Sequence, residues 1–177
     1  IASPIVINLD GHGIKTTSVV GAKAMFDISG SGDRCYTGWI TSGSGFLFFD
    51  NDSSGRVNNV DDMFGGLTRG EGFFKLAKLD SNNDGIIDQS DPNFSKLKIW
   101  IDKNGDGVVD DGEVFTLSEL GIESLHIDFD IIDEEDEEDE EDEEDEEDEN
   151  GNMIGERAYA IINGNKYEMS DVYFKYY

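Results

Sequence analysis

The chain has 177 residues, enough for one domain with a real core, and carries 41 Asp+Glu against 13 Lys+Arg, a net charge of −28. Nothing in that balance could neutralise phosphates, which excludes nucleic acid and anionic membrane surfaces as partners. The single cysteine, Cys35, excludes an intrachain disulfide and is expected to be a small buried residue; no transmembrane run or signal peptide is read, and Ile1-Ala2-Ser3 reads like the edge of a longer chain.

In chain order, Ile5, Ile7 and Leu9 alternate, which predicts a strand. It runs into Asn8-Leu9-Asp10-Gly11-His12-Gly13-Ile14, a worn copy of a twelve-residue calcium loop. Asn8 and Asp10 take positions 1 and 3, but position 5 is His12, a poor calcium ligand, so this site is expected to be weak or differently built. Residues 11–34 are rich in Gly, Ser and Thr. Within them, Ala24-Met25-Phe26 predicts a short strand and Asp27 to Gly32 a turn. Tyr36 to Ile40 and Phe46 to Phe49 read as strands joined by a Ser/Gly turn at 42–45.

The second of these strands leads into a third loop: Asp50, Asp52, Ser54, Gly55, Arg56 through its carbonyl, and Asn58, closed by Asp61 or Asp62. Phe73, Leu76 and Ala77 then stand at helical spacing, predicting a short helix over 70–79. It enters a complete loop of Asp80, Asn82, Asp84, Gly85, Ile86, Asp88 and a closing Asp91. Ten residues later the pattern is fullest. Asp102, Asn104 and Asp106 supply side-chain oxygens at positions 1, 3 and 5, and Gly107 turns the chain at 6. Val108 offers a carbonyl at 7, Asp110 reaches in at 9 and Glu113 closes at 12. A hard cation such as calcium wants six to eight oxygens, and alternate residues of a tight loop supply them. The bland reading of one such loop is a polar Asp/Asn/Gly turn; a match at every position argues against it here.

Only Pro92 to Ile101 separate the two complete loops. An exiting helix, a linker and an entering helix need well over about twenty residues at 1.5 Å rise. Leu97, Ile99 and Ile101 alternate instead, so these are EF-hand-type loops without two full helix–loop–helix units. Thr116-Leu117-Ser118-Glu119 is a capping-box pattern opening a single turn that Gly121 stops. Leu125, Ile127 and Phe129 alternate as a strand. Residues 133–149 are all Asp or Glu, seventeen in a row, and without them the net charge is −11. Like charges at that density repel, so a solvated, disordered loop over 130–150 is expected. Arg157 to Ile162 and Lys166 to Phe174 read as a hairpin around Asn163-Gly164, which makes the acidic run an insertion between paired elements. The predicted fold is α+β. One compact domain over 1–177, of short strands and short helices, is built around several EF-hand-like calcium loops, and the isolated domain is expected to be a monomer.

Taken in order, the run Pro4…Asn8-Leu9-Asp10-Gly11…Gly13-Ile14, Phe26-Asp27, Thr37-Gly38-Trp39, Asp50…Gly55, Phe64-Gly65, Leu79-Asp80-Ser81-Asn82…Asp84-Gly85, Trp100…Asp102…Asn104…Asp106-Gly107 and Leu120-Gly121-Ile122…Ser124-Leu125 resembles the calcium-dependent self-processing module of iron-regulated RTX proteins of Gram-negative bacteria. The resemblance covers nearly the whole chain apart from the acidic run. It implies a secreted or cell-surface module that folds on several calcium ions and cleaves the Asp-Pro bond at its own N-terminal edge. In that family the Asp carboxylate attacks its own carbonyl, and a lysine of another protein can capture the resulting anhydride as an isopeptide. Pro4 matches the family's proline, but Ser3 stands where the Asp should be. Without that carboxylate no anhydride forms, so this chain is expected not to cleave. The alternative is a dockerin-like or adhesin-type partner-binding module with no cleavage chemistry.

Overall fold

The computed structural model describes residues 3–28, 30–50, 57, 63–66, 71–130, 150, 152–174 and 176. Strand β1 (Ser3–Asn8) follows from the predicted alternation. Three short pieces come next: β2 (Thr16–Thr17), β3 (Met25–Phe26) and β4 (Cys35–Tyr36). Then come β5 (Trp39–Ile40), β6 (Ser44–Phe49) and β7 (Gly65–Gly66). Helix α1 (Glu71–Ala77) leads to β8 (Ile86–Ile87), β9 (Leu97–Trp100) and β10 (Val114–Thr116). The chain closes with β11 (Ile122–Asp130), β12 (Met153–Ile162) and β13 (Asn165–Tyr173).

The expected α+β class is wrong. The protein is nearly all antiparallel β, and α1 is the single α-helix among the described residues. One sheet dominates, ordered β10-β9-β6-β1-β13-β12-β11-β8, with β7 pairing β1 as a ninth strand. Two ribbons, β2 with β5 and β3 with β4, complete it. The physical reason is the spacing already noted. Ten residues between two loops leave no room for helices, and the β-branched and aromatic residues around them, Ile99, Trp100 and Val114 among them, suit a pleated surface.

Both faces of the central strands are buried, because alternation sends neighbouring residues into two different cores. Ile5, Ile7, Leu47, Ile99 and Met169 pack under α1 with Phe73 and Leu76. Val6, Phe46, Phe48, Trp100 and Val172 pack on the opposite side with Phe26 and Trp39. That is why Phe46 to Phe49 reads as an unbroken apolar run rather than an alternating one. The predicted strand over 36–40 is split. Thr37 and Gly38 part β4, which pairs with β3, from β5, which pairs with β2, and a Cβ on Gly38 would sit 2.3 Å from Asn152 Oδ1.

The chain reverses between β12 and β13 on Asn163 (φ 49) and Gly164 (φ 87), with Ile162 opposite Asn165. Two positive φ values in succession make the turn whose twist matches the strands it joins. The capping box is present as read. Thr116 N–H donates to Glu119 Oε1 (2.7 Å), and Glu119 N–H donates to Thr116 Oγ1 (3.1 Å). It opens a 3-10 turn over Ser118–Leu120 that ends on Gly121 at φ 76. Strands β11 and β12 pair out to Asp130 opposite Arg157. The acidic run therefore lies in the connection between paired strands. Residues 131–149 are outside the described residues, whereas Asp130 belongs to β11 and Asn150 donates to the Thr16 carbonyl (2.9 Å). Cys35 is half-buried; burial pushes its thiol pKa up, and its Sγ lies 3.6 Å from the Phe26 carbonyl.

Candidate functional site

The loop at 102–113 is the connection of a hairpin, since Trp100 on β9 pairs with Val114 on β10. Its two end carboxylates are buried, Asp102 at 3% exposure and Glu113 at 3%. Asp102 Oδ2 accepts the Gly107 N–H (2.8 Å) and the Trp39 indole N–H (2.6 Å). Its Oδ1 accepts the Gly105 N–H at 3.1 Å. Glu113 Oε2 accepts the Lys103 N–H (3.0 Å), while Oε1 accepts the Asp110 N–H (3.0 Å) and the Trp100 indole N–H (3.2 Å). Gly107 has φ 78, and a Cβ there would lie 2.3 Å from the Met25 carbonyl oxygen. Glycine is thus required at position 6 for conformation and for close packing.

The loop at 80–91 repeats this frame. The first carboxylate, Asp80, accepts the sixth residue's N–H, from Gly85 at 2.8 Å. The twelfth, Asp91, brackets the second and ninth residues: its Oδ1 accepts the Ser81 N–H (2.9 Å) and its Oδ2 accepts the Asp88 N–H (3.0 Å). The fifth residue's carboxylate takes the seventh residue's N–H in both loops, Asp84 from Ile86 and Asp106 from Val108, each at 3.0 Å. Asp91 is buried like Glu113, so the shorter side chain makes the same bracket. The first of these contacts recurs in the polar turns at Asn8 and Asp27, and the contact to the N–H two residues on recurs at Asp10. It is therefore the bracket on the second and ninth N–H groups that sets the two loops apart.

The middle ligands face outward. Asn82 and Asp84 are exposed, as are Asn104 and Asp110, which are joined by a hydrogen bond from Asn104 Nδ2 to Asp110 Oδ2 (3.1 Å); Asp88 and Asp106 are half-buried. Ile86 lies on β8 opposite His126, and Val108 is exposed. The donors are all oxygens, the set a hard divalent cation takes. Among the described residues, however, no three His, Cys, Asp or Glu side chains converge closely enough to hold a metal ion, so each loop is a frame around its two buried end carboxylates rather than a closed shell. The burial of Asp102 pushes its carboxyl pKa above the ordinary 3.8; hydrogen bonds from Gly107 and Trp39 oppose that push, and the charges of Asp106 and Glu113 add to it. A buried carboxylate beside two others is a site that favours positive charge.

Elsewhere the predicted residues are used differently. Asn8 is buried, and its own turn consumes its amide. Its Oδ1 accepts the Gly11 and Gly13 N–H groups, and its Nδ2 donates to Asp10 Oδ1, the Gly13 carbonyl and Ser44 Oγ. Asp10 is exposed, and the His12 N–H holds its pKa below the ordinary value. Asp50 is buried, with Lys98 Nζ 2.9 Å from its Oδ2. Asp52, Ser54, Arg56, Asn58, Asp61 and Asp62 lie outside the described residues. Ser3 and Pro4 sit in β1, opposite Gly66 and Gly65 of β7. Asp27 holds its turn by accepting the Ser31 and Gly32 N–H groups.

Sequence reasoning missed Trp39 and Trp100 as parts of the site. Trp100 stands two residues before Asp102 and could have been suspected. Trp39 is 63 positions away and carries no local signal.

Comparison with known proteins agrees with this chain-wide pattern. The SPM domain family matches residues 5–175. The iron-regulated protein FrpA of Neisseria meningitidis serogroup C is 33% identical over 181 aligned residues, which cover 97% of this chain and 15% of that protein.

Proposed function

Because the chain belongs to the SPM domain family, we propose that it is a calcium-binding module of a larger secreted, RTX-type bacterial protein, folding as calcium fills the loops at 80–91 and 102–113. The observation that carries this reading is the shared frame: buried end carboxylates bracketing the second and ninth N–H groups in both loops. A bound divalent cation would cancel the mutual repulsion of those carboxylates. The chain's own part is to bury two end carboxylates per loop and to hold each by backbone N–H groups. Extracellular modules of this kind bind at about 10⁻⁴–10⁻³ M, so the domain would remain unfolded where calcium is scarce and fold outside the cell. Circular dichroism in chelator and in millimolar calcium tests this; a native spectrum in chelator would falsify it. No helix among the described residues is long and apolar enough to cross a membrane.

The family resemblance adds self-cleavage before Pro4, followed by capture of the new C-terminus by a lysine. In this chain β1 holds the 3–4 bond extended against β7, as a positioned scissile bond requires. A serine at 3 leaves the reaction without its carboxylate, so the chain stays intact. Ser3→Asp with calcium, followed by electrophoresis, is expected to give a new fragment ending at residue 3. An uncut Ser3→Asp chain points instead to a module with binding function only. The dockerin-like alternative loses its ground, because the chain leaves the first loop into a 3-10 turn over Phe94–Lys96 and the second into β10, not into helices.

A further inference from the structure

The chain has two tryptophans, and both send their indole N–H to the end carboxylates of one loop. Trp39 binds Asp102 at position 1, and Trp100 binds Glu113 at position 12. Both rings are buried, at 1% and 0% exposure, and stand edge to face 5.7 Å apart. A buried indole N–H needs an acceptor, but any carbonyl would serve. Here both are spent on carboxylates, at the two positions that close the loop. Each indole-bonded oxygen also accepts a backbone N–H, so its two lone pairs are taken. The indoles turn the other oxygen, Asp102 Oδ1 or Glu113 Oε2, which accepts one N–H and keeps a lone pair for a cation. Among the described residues no indole reaches the loop at 80–91: Ser81 Oγ donates to Asp91 Oδ1 (2.9 Å), and Asp80 accepts the Asp84 and Gly85 N–H groups.

The rings also connect the loop to the N-terminal strand. Trp100 pairs with Phe46 across β9 and β6, and Phe46 pairs with Val6 across β6 and β1. Phe46 lies 5.4 Å from the Trp100 ring and 4.7 Å from the Trp39 ring. We propose that Trp39 and Trp100 are positioning residues for a calcium ion at 102–113, and that they tie its occupancy to β1, the strand carrying the 3–4 bond. The proposal rests on the calcium reading above and extends it, because it makes the two loops unequal: 102–113 reaches β1 through the indole rings, whereas 80–91 reaches it through α1, whose Phe73 and Leu76 pack with Ile5 and Ile7.

The test uses the whole chain with Asp80→Asn to silence the first loop, alone and combined with Trp39→Phe or Trp100→Phe. Phenylalanine keeps most of the packing and removes the N–H. Partners that orient metal ligands typically contribute about 10–100-fold in affinity, and a loss of that size is expected by calorimetry for each variant. In the unaltered chain both indole N–H resonances should shift at the calcium midpoint of 102–113, and exchange of the Val6 amide should slow at the same midpoint. Folded variants that keep the affinity of the Asp80→Asn parent overturn the proposal. Should the variants fail to fold, indole resonances that ignore calcium, or follow the midpoint abolished by Asp80→Asn, overturn it equally. An unaltered chain that takes up no calcium sinks the calcium reading itself, and this proposal with it.

Discussion

At the scale of single residues, the loops are decided by a few atoms. Gly107 is the sharpest case, held at φ 78 against the Met25 carbonyl. A left-handed conformation costs a residue with a Cβ about 1–2 kcal/mol, and a Cβ 2.3 Å from a backbone oxygen adds displacement of β3. Gly107→Ala is therefore expected to lower stability by at least about 2 kcal/mol at saturating calcium, read by thermal or denaturant unfolding. Asp102 gives a dependence on pH. Its folded-state pKa is raised by burial, so without metal the folded chain holds this proton more tightly than the unfolded chain. Stability contributed by that proton is fully present below the ordinary 3.8 and is lost as pH rises through the raised value. The same proton competes with a cation for this carboxylate, so calcium affinity measured by calorimetry should fall as pH is lowered towards the raised value, and fall less steeply in Asp102→Asn. If the pH slope of affinity is the same in both chains, Asp102 is not its source.

At the scale of elements, the sequence was legible wherever a local rule had no competitor. The capping box of Thr116 and Glu119 forms as read, and Thr116→Ala should cost about 1 kcal/mol without changing calcium affinity, measured by denaturant unfolding and calorimetry. The Asn163-Gly164 turn, the helix before Asp80 and the alternating strands β1, β9 and β11 were also readable, because period and turn chemistry act over a few residues. What could not be read was pairing. The strands β6, β1 and β13 lie side by side although their residues are far apart in the chain. Loop signatures borrowed from helical proteins pulled the reading towards α+β, yet those signatures specify only the loop. Whatever follows the twelfth residue is free to be a strand. Trp39 shows the same limit within the site, as its role depends on a contact between distant segments.

At the scale of the whole molecule, the sheet is built so that one metal-type loop closes each of two junctions: α1 to β9, and β9 to β10. Only the second is a hairpin, and β10 is the end strand of the large sheet, with three residues paired to β9. A strand that short has little of its own to hold it, so its attachment depends on the loop's two buried carboxylates staying gathered. Released, it would uncover the backbone N–H and C=O row of β9, the kind of border that recruits other chains. Depleting calcium from a concentrated solution should therefore make the protein self-associate before it is fully denatured, visible as light scattering at moderate chelator levels. For a chain with a net charge of −28, clumping in calcium-poor buffer would be hard to attribute to anything but an opened sheet margin.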